Sequence, residues 1–282
     1  MSVIRSLYRR SNPPGLSYGG ADNGQRTTDN GRQAMDLSLI IACYNEELVL
    51  EQSMREIFNV LDSTRYTYEI IFVDDCSQDN TRKIIDELIG KYADKAIKKI
   101  FHLENQGRGQ TVADGIRQAE AKVVGYIDID LEAHARYIPS MVMAIHGGAD
   151  IAAGWRIYKL QLRTLHRAIS SKTYIALVNR LLKVRLKDTE TGYKFFNREK
   201  ILSILDEVED KRWFWDTEIM TRAYYKHFKI EEIPVLFIKR HEVPSTVKFF
   251  KDSWEYFVKL LKFRKRVKSW TPEGMDKSGE GS

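Results

Sequence analysis

The sequence predicts an α/β fold in which helices cover both faces of a mostly parallel β-sheet. Short apolar runs alternate with amphipathic stretches of helical period, and the runs are continuously apolar rather than alternating with polar residues. Strands of that kind are buried on both faces, which is typical of parallel sheets between helices. The chain has 282 residues, 43% apolar and 30% charged, which is enough to bury such a core.

The elements follow one another in a regular order from about Leu37. The first predicted strands are 37–43, 68–74, 96–103 and 122–130, and the helices after them are 47–62, 79–92, 110–120 and 136–146. The second half is less regular, with strands predicted at 149–155, 192–196 and 229–237 and helices at 160–186 and 214–227. An amphipathic helix at 247–270 ends the folded part.

Both ends of the chain lack the pattern of a folded segment. Residues 1–35 are rich in Gly, Asn, Ser, Arg and Pro without periodicity, and 271–282 have the same character. Such segments bury too little apolar surface to offset the entropy of ordering. We therefore predict a disordered leader at 1–35, one α/β domain at 36–246, the basic helix 247–270 and a disordered tail at 271–282.

Cysteine usage and hydropathy bear on the compartment. Cys43 and Cys76 each follow a predicted strand without the spacing of a disulfide framework or zinc site, so both are predicted to be reduced core thiols. The N-terminus has no apolar run of signal-peptide length, and no segment approaches the roughly 20 apolar residues of a membrane span. These observations favour a cytoplasmic location.

Charge is distributed unevenly along the chain, whose net charge is +6. Residues 247–270 carry eight Lys or Arg against two acids, and 156–187 hold nine Lys or Arg and no acid. Two basic regions on an acidic body indicate anionic partners such as phosphates, nucleic acid or an anionic membrane surface. Nucleic-acid binding is disfavoured, because these regions lie outside the predicted strand-end crevice and no recognised nucleic-acid motif accompanies them.

Polar residues follow the first two apolar strands, at the edge where parallel sheets bind their ligands. Asn45 and Glu46 follow the first strand, and Asp75 and Asp79 follow the second. Two alternatives stay open for them. Asn45 or Asp79 caps the next helix, or a carboxylate here accepts hydrogen bonds from a nucleobase or a ribose.

The fourth predicted strand ends in the acidic run Asp128-Ile129-Asp130-Leu131-Glu132. Alternate side chains of an extended chain point to the same side, so the three carboxylates are expected to face one way. Packed carboxylates repel one another and are costly to desolvate, and a hard divalent cation removes that cost. We predict that Asp128, Asp130 and Glu132 bind Mg²⁺ or Mn²⁺, which take oxygen ligands. A solvated acidic turn is the alternative.

The order of these motifs resembles the family 2 glycosyltransferases of GT-A fold, especially their dolichyl-phosphate mannose and dolichyl-phosphate glucose synthase branch. The likeness covers about 37–245, and the run 212–218 is more like the glucose branch. It rests on seven landmarks in order: Tyr44-Asn45-Glu46, Val73-Asp74-Asp75, Asn105-Gln106-Gly107-Arg108-Gly109, Asp128-Ile129-Asp130, Gly154-Trp155-Arg156, Asp188-Thr189-Glu190-Thr191-Gly192-Tyr193 and Trp215-Asp216-Thr217-Glu218.

The resemblance implies a nucleotide-sugar donor, of UDP-glucose or GDP-mannose type, and the residues that bind it. The nucleotide contacts would be Ala42, Tyr44, Glu46, Asp75 and Arg108. The metal and diphosphate contacts would be Asp128, Asp130 and Glu132, and the further phosphate contacts Arg156, Arg167 and Arg240. The sequence departs from the family pattern in having Ala42-Cys43 for the usual Pro-Thr, Glu132 where Gln is common, and no Gly before Ser245.

Sugar transfer from a nucleoside diphosphate builds negative charge on the leaving diphosphate, which a bound cation stabilises. Asp130 is the predicted main metal ligand, with Asp128 helping to hold the ribose or sugar, and attack from the opposite face inverts the anomeric carbon. A polyprenyl phosphate acceptor is already an anion and needs positioning by arginines. A hydroxyl acceptor on a glycan, glycolipid or protein needs a base, for which Asp216 and Glu218 are candidates.

Three other features leave alternatives open. Glu218 is either that base or an acid that stabilises a helix N-terminus. The rings of Trp213 to Trp215 either pack in the core or form a platform for the acceptor. None of the six histidines has the spacing of a metal ligand, so none is assigned a role.

The predicted C-terminal helix carries apolar side chains near helical spacing between its cations: Phe250, Trp254, Phe257, Leu261 and Phe263. One alternative is that it lies in the headgroup region of the cytoplasmic membrane face, with its Lys and Arg near anionic lipids. The protein would then be a peripheral membrane enzyme with access to a lipid-linked acceptor. The other alternative is that the apolar face packs on the domain and the cations are solvated.

Overall fold

The computed structural model describes residues 35–158, 165–238 and 249–270, and it describes only the backbone at 165–172 and 249–254. The predicted leader 1–35, apart from its last residue, and the predicted tail 271–282 therefore lie outside the described residues. Arg240 lies outside them as well. The same holds for the side chains of Arg167, Phe250 and Trp254.

Strands and helices alternate through the described chain. The strands are β1 Leu37–Cys43, β2 Tyr68–Asp74, β3 Ala96–Phe101, β4 Val123–Ile127, β5 Ile151–Tyr158, β6 Tyr193–Asn197 and β7 Ile230–Phe237. The helices are α1 Leu50–Asp62, α2 Thr81–Lys91, α3 Arg108–Gln118, α4 Ile138–His146, α5 Leu165–Leu182, α6 Arg198–Leu205, α7 Trp215–Tyr225 and α8 Phe249–Val267. A 3₁₀ turn at Ala135–Tyr137 precedes α4.

The seven strands of the described residues form one sheet in the order β3-β2-β1-β4-β6-β5-β7. Neighbouring strands are parallel except at β6, which runs antiparallel to both β4 and β5. The chain steps outward from β1 to β2 and β3, and β4 then returns to the other side of β1. Such a reversal opens a crevice at the carboxyl ends of the strands, where ligands bind in open α/β sheets.

Helices cover both faces of the sheet, which confirms the predicted α/β class. The apolar sides of α1, α2 and α4 pack on one face, and those of α3 and α5 to α8 pack on the other. Strand residues alternate between the two cores, so that Leu39 and Ile41 contact the first and Ile40 the second. The sequences of β1, β2 and β4 are nearly continuously apolar because both faces of these strands are buried.

Three local predictions are wrong. Strand β4 ends at Ile127, so the acidic run follows the strand instead of forming its last residues. Helix α6 was not predicted, because its eight residues are too few for a clear helical period; Asn197 caps it by accepting the N–H of Lys200 at 3.2 Å. Cys76 is only partly buried, with φ at 64°, whereas Cys43 is buried as predicted.

The last turns of helix α8 pack apolar side chains on the domain. Leu260, Phe263 and Val267 are buried in the same core as α7, and the rings of Phe263 and Phe214 lie 5.6 Å apart between centroids. Leu261 is 38% exposed. The outward side of the last turns carries exposed cations at Lys262, Lys265, Arg266 and Lys268. None of the described helices is both long and apolar enough to cross a bilayer.

Candidate active site

The loops that follow β1 and β2 bind to each other at the crevice. The backbone N–H of Asn45 donates to Ser77 Oγ at 2.9 Å, and that of Glu47 donates to Asp79 Oδ2 at 3.1 Å. Asp79 Oδ1 also accepts the N–H of Thr81 at 3.0 Å, so this carboxylate both caps the start of α2 and joins the two loops. These bonds fix the backbone on either side of Glu46. Tyr44, directly after β1, is 45% exposed on the same rim, and Ala42 is partly buried beneath it.

The acidic residues after β4 lie on a turn and not on an extended chain, which corrects the predicted alternation. The N–H of Leu131 donates to the carbonyl of Asp128 at 3.2 Å, and Leu131 has φ at 50°. The N–H of Glu132 donates to Asp130 Oδ1 at 3.1 Å. The turn nevertheless brings the three acids to one cavity, which is lined by Asp128, Asp130, Glu132, Ala133, Thr191, Gly192 and Phe237.

Negative charge is concentrated at this cavity. Burial, together with repulsion from the carboxylates of Asp130 and Asp128, raises the pKa of Glu46 to about 8. The same like-charge interaction that disfavours ionisation of Glu46 favours a cation placed among the carboxylates. The carboxylates at the cavity therefore favour a positively charged ligand.

The side chains at the cavity fit a hard divalent cation that brings other ligands with it. Carboxylate oxygens suit Mg²⁺ and Mn²⁺, and Mg²⁺ usually binds through one or two carboxylates with waters and substrate phosphates. Within the part of the chain that the structure describes, no three Asp, Glu, His or Cys side chains are gathered into a metal site. The carboxylate of Asp128 is bonded to Arg108. The predicted three-residue metal site of Asp128, Asp130 and Glu132 thus stays a prediction.

Arg108, the first residue of α3, connects the cavity to the protein interior. Its Nη2 and Nε donate to Asp128 Oδ1 at 2.5 and 3.2 Å, and its Nη1 donates to Asp216 Oδ2 at 2.6 Å. The guanidinium lies 5.4 Å from the ring centroid of Tyr126 and 5.3 Å from that of Trp213. Although burial acts in the opposite direction, the two carboxylates raise the pKa of Arg108 above its ordinary value.

The two candidate bases at the start of α7 are both 2% exposed and already bonded. Besides Arg108, Asp216 binds the buried Lys194, whose Nζ lies 2.7 Å from Asp216 Oδ1, and the hydroxyl of Tyr126. Glu218 accepts two N–H groups of Arg222 at 2.7 and 3.0 Å and does not line the cavity. A general base needs a lone pair within reach of the acceptor. In this geometry both carboxylates are held in ion pairs inside the protein.

The aromatic run Trp213 to Trp215, at the start of α7, fits both predicted alternatives: two of its rings pack in the core and one does not. Phe214 and Trp215 are each 2% exposed and belong to the core of the α8 face. Trp213 is 50% exposed and lies over Arg108 at the edge of the crevice. Only Trp213 is therefore available as a platform for a ligand.

Asp75 is buried after β2 and receives three donors. It accepts the backbone N–H groups of Gln106 and Gly107 at 2.7 and 2.8 Å, and His102 Nδ1 lies 2.9 Å from its Oδ1. The other ring nitrogen of His102 lies 3.2 Å from Asp114 Oδ2. Sequence reasoning missed His102 because the predicted strand 96–103 enclosed it. In the structure β3 ends at Phe101, so His102 directly follows the strand.

Arg156, predicted to contact phosphates, is bound by two carboxylates. Its Nε and Nη2 donate to Asp188 at 2.7 and 3.0 Å, and Nη2 also donates to Glu190 at 3.1 Å. The guanidinium thereby ties the 188–190 loop to β5. Arg167 and Arg240, the other two predicted phosphate contacts, have no described side chain.

Comparison with known sequences decides the family. Residues 38–205, well over half of the chain, match the profile of Glycosyl transferase family 2. The chain belongs to this family. The resemblance inferred from the ordered motifs is thereby confirmed, and the match spans the strands and loops that form the crevice.

The relatives that the chain resembles are glycosyltransferases by name, and two of the three given below are named for dolichyl or dolichol phosphate. The chain is 31% identical over 206 residues to glycosyltransferase AglD of Haloferax volcanii, covering 71% of this chain and 33% of that protein. It is 31% identical over 237 residues to dolichol-phosphate mannosyltransferase of Pyrococcus furiosus, covering 82% and 64%. It is 28% identical over 217 residues to dolichyl-phosphate beta-glucosyltransferase of Homo sapiens, covering 71% and 66%. The chain thus spans a third to two thirds of the length of these relatives.

A solved structure shares the fold of this family 2 domain. Glucosyl-3-phosphoglycerate synthase of Mycobacterium tuberculosis, crystallised with Mn²⁺, UDP and glucosyl-3-phosphoglycerate, superposes with a TM-score of 0.60 at 16% identity. The match covers 81% of this chain and 79% of that one. It supports the GT-A-like architecture.

Proposed function

We propose that this family 2 glycosyltransferase moves a hexose from a nucleotide sugar to a polyprenyl phosphate, with inversion at the anomeric carbon. One observation carries the proposal: an acidic cavity lies at the strand-end crevice beside Arg108, while both candidate bases are buried in ion pairs. An acceptor that is already an anion needs no base, so this geometry suits a phosphate better than a hydroxyl. The names of the dolichyl-phosphate relatives support the same acceptor class.

The donor site is proposed along the carboxyl ends of β1, β2 and β4. Ala42, Tyr44 and Asp75 would contact the nucleoside, and Glu46 would border it. UDP-glucose and GDP-mannose are the two donor types that the relatives' sugars favour, and the UDP bound by the solved structural neighbour supports the first.

Asp130 and Asp128 would hold Mg²⁺ or Mn²⁺ together with the donor diphosphate, with Glu132 at the edge of the same cavity. When bound, the ion supplies charge stabilisation for the departing diphosphate. Arg108 bears a fixed positive charge beside Asp128 and orients that carboxylate. The Mn²⁺ in the structural neighbour supports this choice of cation.

The acceptor is proposed to come from the cytoplasmic membrane face, with the protein bound there peripherally. Because Leu260, Phe263 and Val267 are packed in the core, the contact of these last turns of α8 would be electrostatic. Exposed cations of the last turns, and of the segment that follows α5, would meet anionic headgroups: Lys183, Arg185, Lys262, Lys265 and Lys268.

A matrix of donors and acceptors tests the proposal. The purified chain would be incubated with Mg²⁺ or Mn²⁺, with UDP-glucose or GDP-mannose, and with either a short-chain polyprenyl phosphate or the corresponding polyprenol. We expect transfer from one donor to the phosphate and none to the alcohol. Transfer to the alcohol or to a glycan hydroxyl, with the phosphate inert, would reject the acceptor class.

A further inference from the structure

A chain of charged side chains runs from the acidic cavity into the core, and the reaction as proposed uses only its outer end. Lys194, in β6, is 0% exposed, and its Nζ donates to Asp216 Oδ1 at 2.7 Å. The hydroxyl of Tyr126 donates to the same oxygen. The other oxygen, Asp216 Oδ2, receives Arg108 Nη1 at 2.6 Å. Arg108 in turn holds Asp128 at the cavity.

The arrangement divides the two oxygens of Asp216 between an inner and an outer partner. Lys194 and Tyr126 occupy Oδ1, which leaves Oδ2 directed at Arg108. If the Lys194 ammonium were removed, Arg108 would no longer share the charge of Asp216 with it. The Arg108 guanidinium would then be drawn toward Asp216 and away from Asp128. The position of Arg108 at the cavity therefore depends on Lys194.

Lys194 also holds the opposite wall of the cavity. Its Nζ donates to the carbonyl of Thr191, and Thr191 and Gly192 line the cavity. The N–H of Asp128 donates to the carbonyl of Gly192 at 2.9 Å, and a Cβ added at Gly192 would lie 2.0 Å from Asp128 Oδ2. The Asp128 carboxylate thus lies between Arg108 and the Gly192 backbone. One buried ammonium fixes both sides.

A purely stabilising role explains this arrangement poorly. A buried ion pair adds little stability over well-packed apolar residues of the same volume, because both charges are desolvated. What it does provide is fixed geometry for the groups bonded to it. The residues that orient the ligands of a metal site act in this way, and their loss typically weakens metal binding ten- to a hundredfold.

We propose that Lys194 is a positioning residue of the donor site: paired with Asp216, it holds Arg108 and the Thr191-Gly192 segment so that Asp128 faces the bound metal and nucleotide. Asp216 is then the anchor of Arg108 and not a base. The inference rests on the proposed function for the identity of the ligand that Asp128 meets.

Binding and stability measured on the same variants test it. Lys194→Met removes the ammonium, and Tyr126→Phe removes one hydrogen bond to Asp216 without a change of charge. Calorimetric titration with Mn²⁺ plus UDP, and with Mn²⁺ plus GDP, gives the affinity, and thermal melting gives the stability. We expect Lys194→Met to weaken binding of the preferred nucleotide at least about tenfold, and Tyr126→Phe to weaken it less.

Arg222→Met is the matched control. Arg222 is buried on α7, as Asp216 is, but it pairs with Glu218 and does not connect to the cavity. Its loss should lower the melting temperature as much as Lys194→Met does, with nucleotide affinity within about twofold of the unchanged protein. The double variant Lys194→Met/Asp216→Asn, in which Arg108 also loses its charged anchor, should bind the nucleotide no more tightly than Lys194→Met.

The inference is overturned if Lys194→Met binds Mn²⁺ and nucleotide as tightly as Arg222→Met does. If Lys194→Met does not fold, an unchanged affinity of Tyr126→Phe for Mn²⁺ and nucleotide also overturns the inference. Failure of the unchanged protein to bind UDP or GDP would instead reject the proposed donor class. In that case the role of Lys194 is decided by Mn²⁺ binding alone, measured by electron paramagnetic resonance across the same variants. If the unchanged protein binds no Mn²⁺, the proposed role of Lys194 is rejected.

Discussion

The carboxylates around the crevice differ in burial and in position. Asp216 and Glu218 are each 2% exposed and receive Lys or Arg donors, whereas Asp130 and Glu132 line the open cavity. A buried carboxylate with a charged partner contributes mainly to structure, because removing it leaves its partner unpaired. A carboxylate that lines a cavity can contact a ligand bound there.

Asp130→Asn is predicted to abolish transfer while leaving the fold intact. The change removes a negative oxygen ligand from the cavity and no core contact. We expect at least about a hundredfold loss, comparable to removal of one electrostatic stabiliser of a transition state. The matched control is Asp86→Asn on α2, which makes the same change at an exposed ion pair between Asp86 and Lys99 of β3. Activity of Asp130→Asn within tenfold of the unchanged protein would reject the metal role, and circular dichroism would check the fold.

Glu218→Gln is predicted to affect stability far more than catalysis. The change removes the charged acceptor of two Arg222 N–H groups and leaves only the exposed Glu207, 3.3 Å away, as an anionic partner, which costs about 1.5 to 3 kcal/mol. Transfer to a polyprenyl phosphate should fall less than about tenfold at a temperature where the variant is folded. Glu120→Gln, at a surface pair with Lys98, should cost less than about 1 kcal/mol. A loss of transfer beyond about a thousandfold would favour a hydroxyl acceptor and a base role.

Gly192→Ala is predicted to damage the donor site selectively. The added Cβ would lie 2.0 Å from Asp128 Oδ2, so either the carboxylate or the backbone must move. Titration with Mn²⁺ plus UDP or GDP should show at least about tenfold weaker binding. Gly90→Ala is the control, since nothing lies within 4 Å of a Cβ there, and in α2 it should add up to about 1 kcal/mol of stability. Equal nucleotide affinities in the two variants would contradict the close approach.

At the scale of elements, the crevice depends on where strands end and which helices cover them. β4 stops at Ile127, which leaves the acidic residues free to form a turn, and α3 begins at Arg108 directly beneath them. Gly107, with φ at 97°, permits the change of direction before α3, a conformation that favours glycine. Helix α8 completes the core on this side through Phe263 and Leu260.

Phe263→Ala is predicted to destabilise the domain by about 3 to 5 kcal/mol, the usual cost of truncating a buried phenylalanine. Leu261→Ala, one position into the partly exposed face of α8, should cost less than about 1.5 kcal/mol. Urea unfolding of the two variants gives both values. Similar small losses for both would mean that α8 is not part of the domain core.

At the scale of the whole molecule, negative and positive charge lie at different places on the surface. The acidic cavity lies among the strand ends, whereas exposed cations cluster on the last turns of α8. Opposite charges at separate places allow one to bind a cation and the other an anionic surface at the same time. Attraction of that kind is screened by salt, with a Debye length of about 10 Å at 0.1 M and about 3 Å at 1 M.

The intact protein is predicted to sediment with anionic vesicles at low salt and to be released at about 1 M salt. Changing Lys262, Lys265 and Lys268 together to Gln should reduce sedimentation without loss of melting temperature, because all three are exposed. These substitutions are preferable to deletion of α8, which would remove core residues. Lys83→Gln/Lys91→Gln on α2 is the control. No sedimentation of the unchanged protein, or an unaltered triple variant, would contradict the membrane role.

Sequence alone determined the α/β class, the family and the edge of the sheet at which the crevice lies. Continuous apolar runs, their spacing and the ordered motifs are local properties, and the carboxyl ends of parallel strands must meet at one edge of a sheet. Asp75, Arg108, Asp128 and Asp130 could therefore be assigned to one site before any coordinates.

Only the tertiary structure decided which charged groups bond to which. Lys194 follows Asp128 by 66 positions in the chain and precedes Asp216 by 22, yet β6 pairs antiparallel with β4 and carries it beneath the cavity. The direction of β6, the unpredicted helix α6 and the packing of α8 depend on contacts between distant segments, which no local period encodes. For that reason the bonds of Asp216 to Lys194 and Arg108 could be seen only in the structure.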